Sequence, residues 1–189
     1  MLILASQSPR RSEILRQAGI SFVVRPANVD ETLLFAESPA NYVKRVAQQK
    51  AAAVEADPVD VVLGADTVVV IDGQILGKPQ DHADALRMLE TLSGREHEVL
   101  TGICLRRGND TAIDLAVTRV WFLPLPQKDL AEYVATGEPM DKAGAYAIQG
   151  LASKFIQRIE GSYSNVVGLP IELVRYHLRK YSDDFYVTQ

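Results

Sequence analysis

Asp60-Val61-Val62-Leu63-Gly64-Ala65-Asp66-Thr67-Val68-Val69-Val70-Ile71 is the stretch whose reading decides the fold. It is almost continuously apolar, rich in β-branched residues and too short for a membrane span. That combination predicts a strand covered on both faces, hence a central strand of an α/β sheet. Two residues break the run. Asp66 places a carboxylate in a buried strand, where it must be paired, hydrogen-bonded, metal-bound or protonated. Gly64, two residues earlier and so on the same face, removes a side chain and lets something bulky approach.

The flanks fit a mixed sheet. Upstream, residues 2–5 read as a buried strand, 9–18 as a helix stopped by Gly19, 20–25 as a second strand and 27–38 as a polar loop carrying Asp30 and Glu31. Ser38-Pro39 then opens a long helix to about Ala56, with Tyr42, Val43, Val46 and Ala47 on one face. Downstream, Asp72-Gly73 predicts a hairpin turn into a short strand ending at Gly77. Asp81 caps a helix with Ala85, Leu86, Leu89 and Leu92 inward. Strands over 96–107 and 111–123, a helix near 127–135 and an irregular glycine-rich stretch over 138–152 follow. A strand over 153–159, a final helix from Pro170 to Tyr181 and a frayed tail after Ser182 complete the expected order. Strand–helix units together with hairpins predict an α/β fold with a mixed sheet and flanking helices, in one domain across residues 1–189.

Composition narrows the function. A net charge of −4 argues against a general nucleic-acid surface. Cys104 is the single cysteine and lies in the apolar run Gly102-Ile103-Cys104-Leu105, which excludes a disulfide framework and predicts a buried, inert thiol. No membrane-length apolar span and no signal-peptide pattern are present, so a cytoplasmic protein is expected. His82, His97 and His177 lack metal-site spacing, and His82 and His97 read as surface or turn residues. There is neither a Gly-x-x-x-x-Gly-Lys-Ser/Thr loop nor a dinucleotide fingerprint nor a nucleophile elbow.

Arg10 and Arg11 supply a positive signal. They follow Ser8-Pro9, which reads as an N-cap and first helical residue. Cations are disfavoured at the positive end of a helix by roughly 0.3–1 kcal/mol each. A bound anion, met by backbone N–H groups and two guanidiniums, would offset that cost; the alternative is a pair of solvated arginines. With Lys50 and Lys78 they form a cationic set suited to a triphosphate. Glu31 and Asp66 supply two carboxylates of the kind that hold Mg²⁺ alongside substrate phosphates.

Leu4-Ala5-Ser6-Gln7-Ser8-Pro9-Arg10-Arg11, Gly64-Ala65-Asp66-Thr67, Gly77-Lys78-Pro79, Leu92-Ser93-Gly94, Asp141-Lys142-Ala143-Gly144-Ala145-Tyr146-Ala147-Ile148-Gln149-Gly150 and Val167-Gly168-Leu169-Pro170 together resemble the Maf family of nucleotide pyrophosphatases. The resemblance spans nearly the whole chain and keeps the motif order. It implies an elongated fold with two lobes around a cleft, like that of inosine triphosphate pyrophosphatases, and a homodimer. It also implies cleavage of nucleoside triphosphates to monophosphate and pyrophosphate with Mg²⁺, Mn²⁺ or Co²⁺. By motif position, Asp66 is the implied proton acceptor, and Glu31 and Asp66 the metal ligands. Ser6, Arg11, Lys50 and Lys78 are the implied phosphate contacts. Arg10, Thr67 and Gln149 match the subgroup acting on dTTP and UTP, whereas the 7-methyl-GTP subgroup would carry Trp before the second arginine, Gln after the Asp and Glu late. A broader house-cleaning enzyme for modified pyrimidine nucleotides and a nucleotide-sensing regulator of septum formation are the alternatives. Neither nucleic-acid nor membrane partners are expected.

Overall fold

The computed structural model describes residues 1–181 and Phe185. The expectation of a frayed tail after Ser182 therefore falls almost wholly outside the described residues. Strand β1 (Leu2–Leu4) is fully buried, and helix α1 (Pro9–Gln17) follows it. Strand β2 is only Val23–Val24, both exposed, shorter than the expected 20–25; it is an edge strand, pairing in parallel with β1. Helix α2 (Pro39–Ala52) begins as expected, with the Ser38 hydroxyl accepting from the Asn41 amide. It ends four residues before Ala56. Strand β3 (Val61–Ile71) is the predicted central strand and turns through Asp72 and Gly73, both at positive φ, into β4 (Gln74–Leu76).

Helix α3 (His82–Leu92) is capped by Asp81, whose carboxylate accepts from the Asp84 amide. Strands β5 (Glu96–Arg107) and β6 (Asp110–Phe122) and helix α4 (Gln127–Ala135) match the expected positions. The glycine-rich stretch contains short 3₁₀ turns at Glu138–Asp141, Ala143–Ala145 and Leu151–Phe155. The last of these delays β7 to Ile156–Glu160. Helix α5 (Tyr163–Val167), not anticipated from the sequence, is a five-residue helix. Helix α6 (Ile171–Leu178) ends three residues short of the expectation.

The strands hydrogen-bond in the order β2-β1-β3-β5-β6-β7, with β4 on β3. β1 runs parallel to β3, and β6 antiparallel to β7. The architecture is thus α/β with a mixed sheet. The chain divides into two compact units. The first comprises Met1–Thr67, Thr101–Ala116 and the segment from Gly168 onward; the second comprises Val68–Leu100 and Val117–Val167. Among the described residues no helix is long and apolar enough to cross a membrane.

In the first unit α2 lies on β3 and β5 at two glycines. A Cβ on Gly64 would stand 2.1 Å from the Ala47 carbonyl oxygen, and one on Gly102 would stand 2.4 Å from that of Val43. What approaches Gly64 is therefore the helix backbone itself. The contact buries Ala47, Ala51, Ile3, Ala5, Val62 and Cys104 in one cluster. Cys104 is the expected buried thiol, and burial pushes its pKa up to about 11.

The second unit has its own core. Leu89 and Leu92 of α3 pack with Phe122, Tyr133, Tyr146 and Phe155. His97 belongs here and corrects the surface expectation. It is 2% exposed, edge-on to Phe122 and Tyr146, and its Nε2 bonds the Tyr146 hydroxyl at 2.9 Å. Burial lowers its pKa to about 3, so it is a neutral core residue. Its position, second in a strand whose inward face is apolar, explains the burial better than its polarity does.

Candidate active site

Strand alternation organises the site. Gly64 and Asp66 share the face of β3 that α2 covers, and Thr67 takes the other face. On β5 the same alternation gives Gly102 to α2 and Thr101 to the face of Thr67.

On the α2 side, Tyr42, Val46 and Lys50 recur at four-residue intervals and so lie along one helix face. Lys50 is 8% exposed, and its ammonium donates to Asp66 Oδ1 at 2.8 Å and meets Glu31 Oε1 at 2.8 Å. Asp66 is 7% exposed. Burial raises its pKa, against the opposing pull of Lys50 and Arg11, while the Glu31 charge raises it further. Tyr42, two turns before Lys50, donates its hydroxyl to the Glu31 carbonyl oxygen at 2.9 Å. Burial and the charges of Asp66 and Glu31 push the Tyr42 pKa up to about 12, which keeps it a donor. Arg45 pins the rest of the loop, donating to both Glu37 carboxylate oxygens at 2.7 and 2.8 Å and to the Thr32 carbonyl. Helix α2 thus holds Glu31 by its backbone and by its side chain, although the loop has no regular structure of its own.

On the opposite face Arg11 is buried. Its Nε donates to the Gly168 carbonyl at 2.8 Å, Nη1 to Ser6 Oγ at 3.0 Å and Nη2 to Thr67 Oγ1 at 3.0 Å. The Thr67 hydroxyl also lies 2.9 Å from Thr101 Oγ1 and 3.3 Å from the Gly168 carbonyl. Burial lowers the Arg11 pKa, and the Asp66 charge opposes that. Arg10 is half-buried, and its charge acts on Arg11 in the same direction as burial. Ser8 precedes α1 with no side-chain capping bond; instead its amide donates to Ser6 Oγ at 3.2 Å. Ser6 Oγ therefore accepts twice, and its own O–H remains a donor.

The first unit brings together Ser6, Arg11, Glu31, Lys50, Asp66 and Thr67, with Arg10 beside Arg11. In the second unit, Lys78 is exposed just after β4, following Gly77, whose carbonyl accepts from the Gly144 amide at 3.0 Å. Gln149 is exposed in a turn closed by the Gly150 amide donating to the Ala147 carbonyl at 3.0 Å.

The sequence profile described as Maf-like protein matches residues 1–181. The chain belongs to the Maf family.

A Maf relative from Anaeromyxobacter sp. (strain Fw109-5), named dTTP/UTP pyrophosphatase, is 54% identical over 184 residues, covering 95% of this chain and 88% of the relative. One of the same name from Symbiobacterium thermophilum is 56% identical over 171 residues, covering 90% and 88%. Two solved structures share the fold. The Ham1 protein of Staphylococcus aureus superposes with a TM-score of 0.56 at 15% identity, and a HAM1 protein of Coxiella burnetii with 0.52 at 18%; each match covers 95% of this chain and 98% of the other.

Reading the sequence for site residues missed the supports of this Maf site. Tyr42, Thr101 and the Gly168 carbonyl touch the named groups directly, and Arg45 holds the loop that carries Glu31. Tyr42 had a signal, its helical spacing from Lys50. The Gly168 carbonyl had none, because a backbone oxygen carries no sequence mark.

The donor set suits a divalent cation. Among the described residues no group of three His, Cys, Asp or Glu side chains is placed to hold a metal. Glu31 and Asp66, however, already share one cation, the Lys50 ammonium. Two carboxylates with substrate phosphates and water are the usual complement of Mg²⁺.

Proposed function

We propose that this chain hydrolyses dTTP and UTP to the nucleoside monophosphate and pyrophosphate. Water attacks the α-phosphorus: its oxygen forms the new P–O bond, the bond from that phosphorus to the α,β-bridging oxygen breaks, and pyrophosphate leaves with the electron pair. Asp66 accepts the water's proton. The observation that carries this reading is a buried carboxylate, Asp66, that accepts from the Lys50 ammonium at 2.8 Å, with the Lys50 and Arg11 charges opposing the rise that burial imposes on its pKa. A base needs a pKa near working pH, and burial raises that of Asp66 toward it.

Glu31 and Asp66 would hold Mg²⁺, Mn²⁺ or Co²⁺, which when bound offsets phosphate charge and acidifies water. Ser6, Arg11 and Lys50 supply donors to phosphate oxygens, and Lys78 adds another cation. Such fixed donors stabilise charge that builds in the transition state. Arg10, Thr67 and Gln149 select the base, since a site with matched polar groups rejects a base that leaves them unpaired. A cytoplasmic setting and a homodimer belong to the same reading.

The test is product analysis with dTTP, UTP, dCTP, dGTP and ATP in ¹⁸O-labelled water with each metal. Monophosphate and pyrophosphate from dTTP and UTP, with the label in the monophosphate, are expected. Release of orthophosphate, label in pyrophosphate, or binding without turnover refutes the reading.

A further inference from the structure

The turn that carries Gln149 is gripped at both ends by one pair of side chains. Tyr133, near the end of α4, is 2% exposed, with its ring edge-on to Phe155. Its hydroxyl donates to Glu138 Oε1 at 2.9 Å and also bonds the backbone of Ala147, where the turn begins. Glu138 Oε2 accepts the Leu151 amide at 3.1 Å, just past the turn's end. Between these anchors, Gly150 lies directly against the carboxylate. A Cβ there would stand 2.3 Å from Glu138 Oε1 and 2.6 Å from Oε2. The Gly150 backbone is at negative φ, so a side chain there would meet no left-handed strain but would push the Glu138 carboxylate out of its place.

Exposed turns ordinarily move; this one is tied to a buried aromatic core through charge-assisted hydrogen bonds. Gln149 itself is exposed, and nothing in the clamp touches its amide. The turn's tip is therefore held while its side chain stays available.

We propose that Glu138 is a positioning residue for base selection: with Tyr133 it fixes the Ala147–Leu151 turn so that the Gln149 side chain projects from one backbone position. The proposal rests on the reading of Gln149 as a base contact. A turn already held in place does not have to be ordered when the base binds, so the clamp acts on selectivity and not on phosphoryl chemistry.

The test measures kcat and KM for dTTP, dCTP and dGTP. For Glu138→Ala, the kcat/KM preference for dTTP over dCTP falls at least tenfold, mainly through KM for dTTP, while kcat on dCTP stays within threefold. Tyr133→Phe, which loses the hydroxyl shared by Glu138 and Ala147, shifts the preference the same way. Glu138→Gln keeps it within threefold, because an amide still accepts from Leu151 and donates to the Tyr133 oxygen. Glu138→Ala combined with Gln149→Ala discriminates no less than Gln149→Ala alone, since both act through one amide. An equal loss on all three nucleotides, an unchanged preference in folded Glu138→Ala, or additive losses in the double variant overturns the proposal. Should Glu138→Ala fail to fold, Tyr133→Phe and Glu138→Gln decide it: retained preference in the former, or lost preference in the latter, overturns it. If Gln149→Ala leaves the wild-type preference intact, the base-contact reading of Gln149 has failed, and the positioning role falls with it.

Discussion

Replacing Lys50 with Met leaves the stem in place and removes the cation that Asp66 is built against. Asp66 then keeps its burial but loses the 2.8 Å ammonium. An opposite charge at such range lowers a carboxyl pKa by about 1–3 units, and each unit is about 1.36 kcal/mol. The loss has a ceiling, because the carboxyl will protonate before it accepts an unlimited penalty. That ceiling lies below the separation of pH from the unfolded value near 3.9, because burial already raises Asp66 in the wild type; it is under about 4 kcal/mol at pH 7 and under about 1.5 kcal/mol at pH 5. Glu31 is left out of this figure, since its side chain is 51% exposed and solvent screens it. The sign follows from linkage. A carboxyl whose folded pKa lies above its unfolded one binds more protons in the native state, so stability falls as pH rises between the two values. Lys50→Met is therefore expected to lose about 3 kcal/mol at pH 7 and under about 1.5 kcal/mol at pH 5, read by urea unfolding of metal-free protein at both pH values. Adding Asp66→Asn should restore most of the loss at pH 7. An equal loss at both pH values, or no relief from Asp66→Asn, would refute the reasoning.

Three further outcomes are expected. Gly64→Ala drives a Cβ into the Ala47 carbonyl, 2.1 Å away, and should cost about 3 kcal/mol of unfolding free energy; a loss under about 0.5 kcal/mol would mean α2 is not seated as described. Arg11→Lys replaces a fork serving three acceptors with one ammonium. It loses two charge-assisted bonds, about 3 kcal/mol or more in denaturant unfolding, and an unchanged midpoint would deny those bonds any role. Gln149→Glu should erode the preference among bases more than turnover on any one of them, measured as kcat/KM on dTTP and dCTP; a uniform loss would assign Gln149 a structural role.

The order of elements was legible where local chemistry is strong. Asp60–Ile71, Ser38-Pro39, Asp72-Gly73 and Asp81 each carry a propensity, cap or turn signal that the structure obeys. The misses have tertiary causes. Val23–Val24 is short because only two residues find a partner on β1. Residues 151–155 wind into a 3₁₀ turn that buries Ala152 and Phe155 before β7 begins, a packing choice invisible to strand propensity. His97 was misread because polarity was weighed above strand alternation. In the site, Asp66 was marked by its apolar surroundings. That Arg11 meets Thr67 and the Gly168 carbonyl depends on contacts 56 and 157 residues apart along the chain, and no local pattern encodes them.

The most direct measurement is single-turnover hydrolysis of dTTP by Asp66→Asn, paired with equilibrium binding of dTTP to the same protein. If Asp66 takes the proton, turnover falls by about 10²–10⁴-fold while nucleotide affinity stays within severalfold of wild type. Wild-type turnover in that variant would contradict the account.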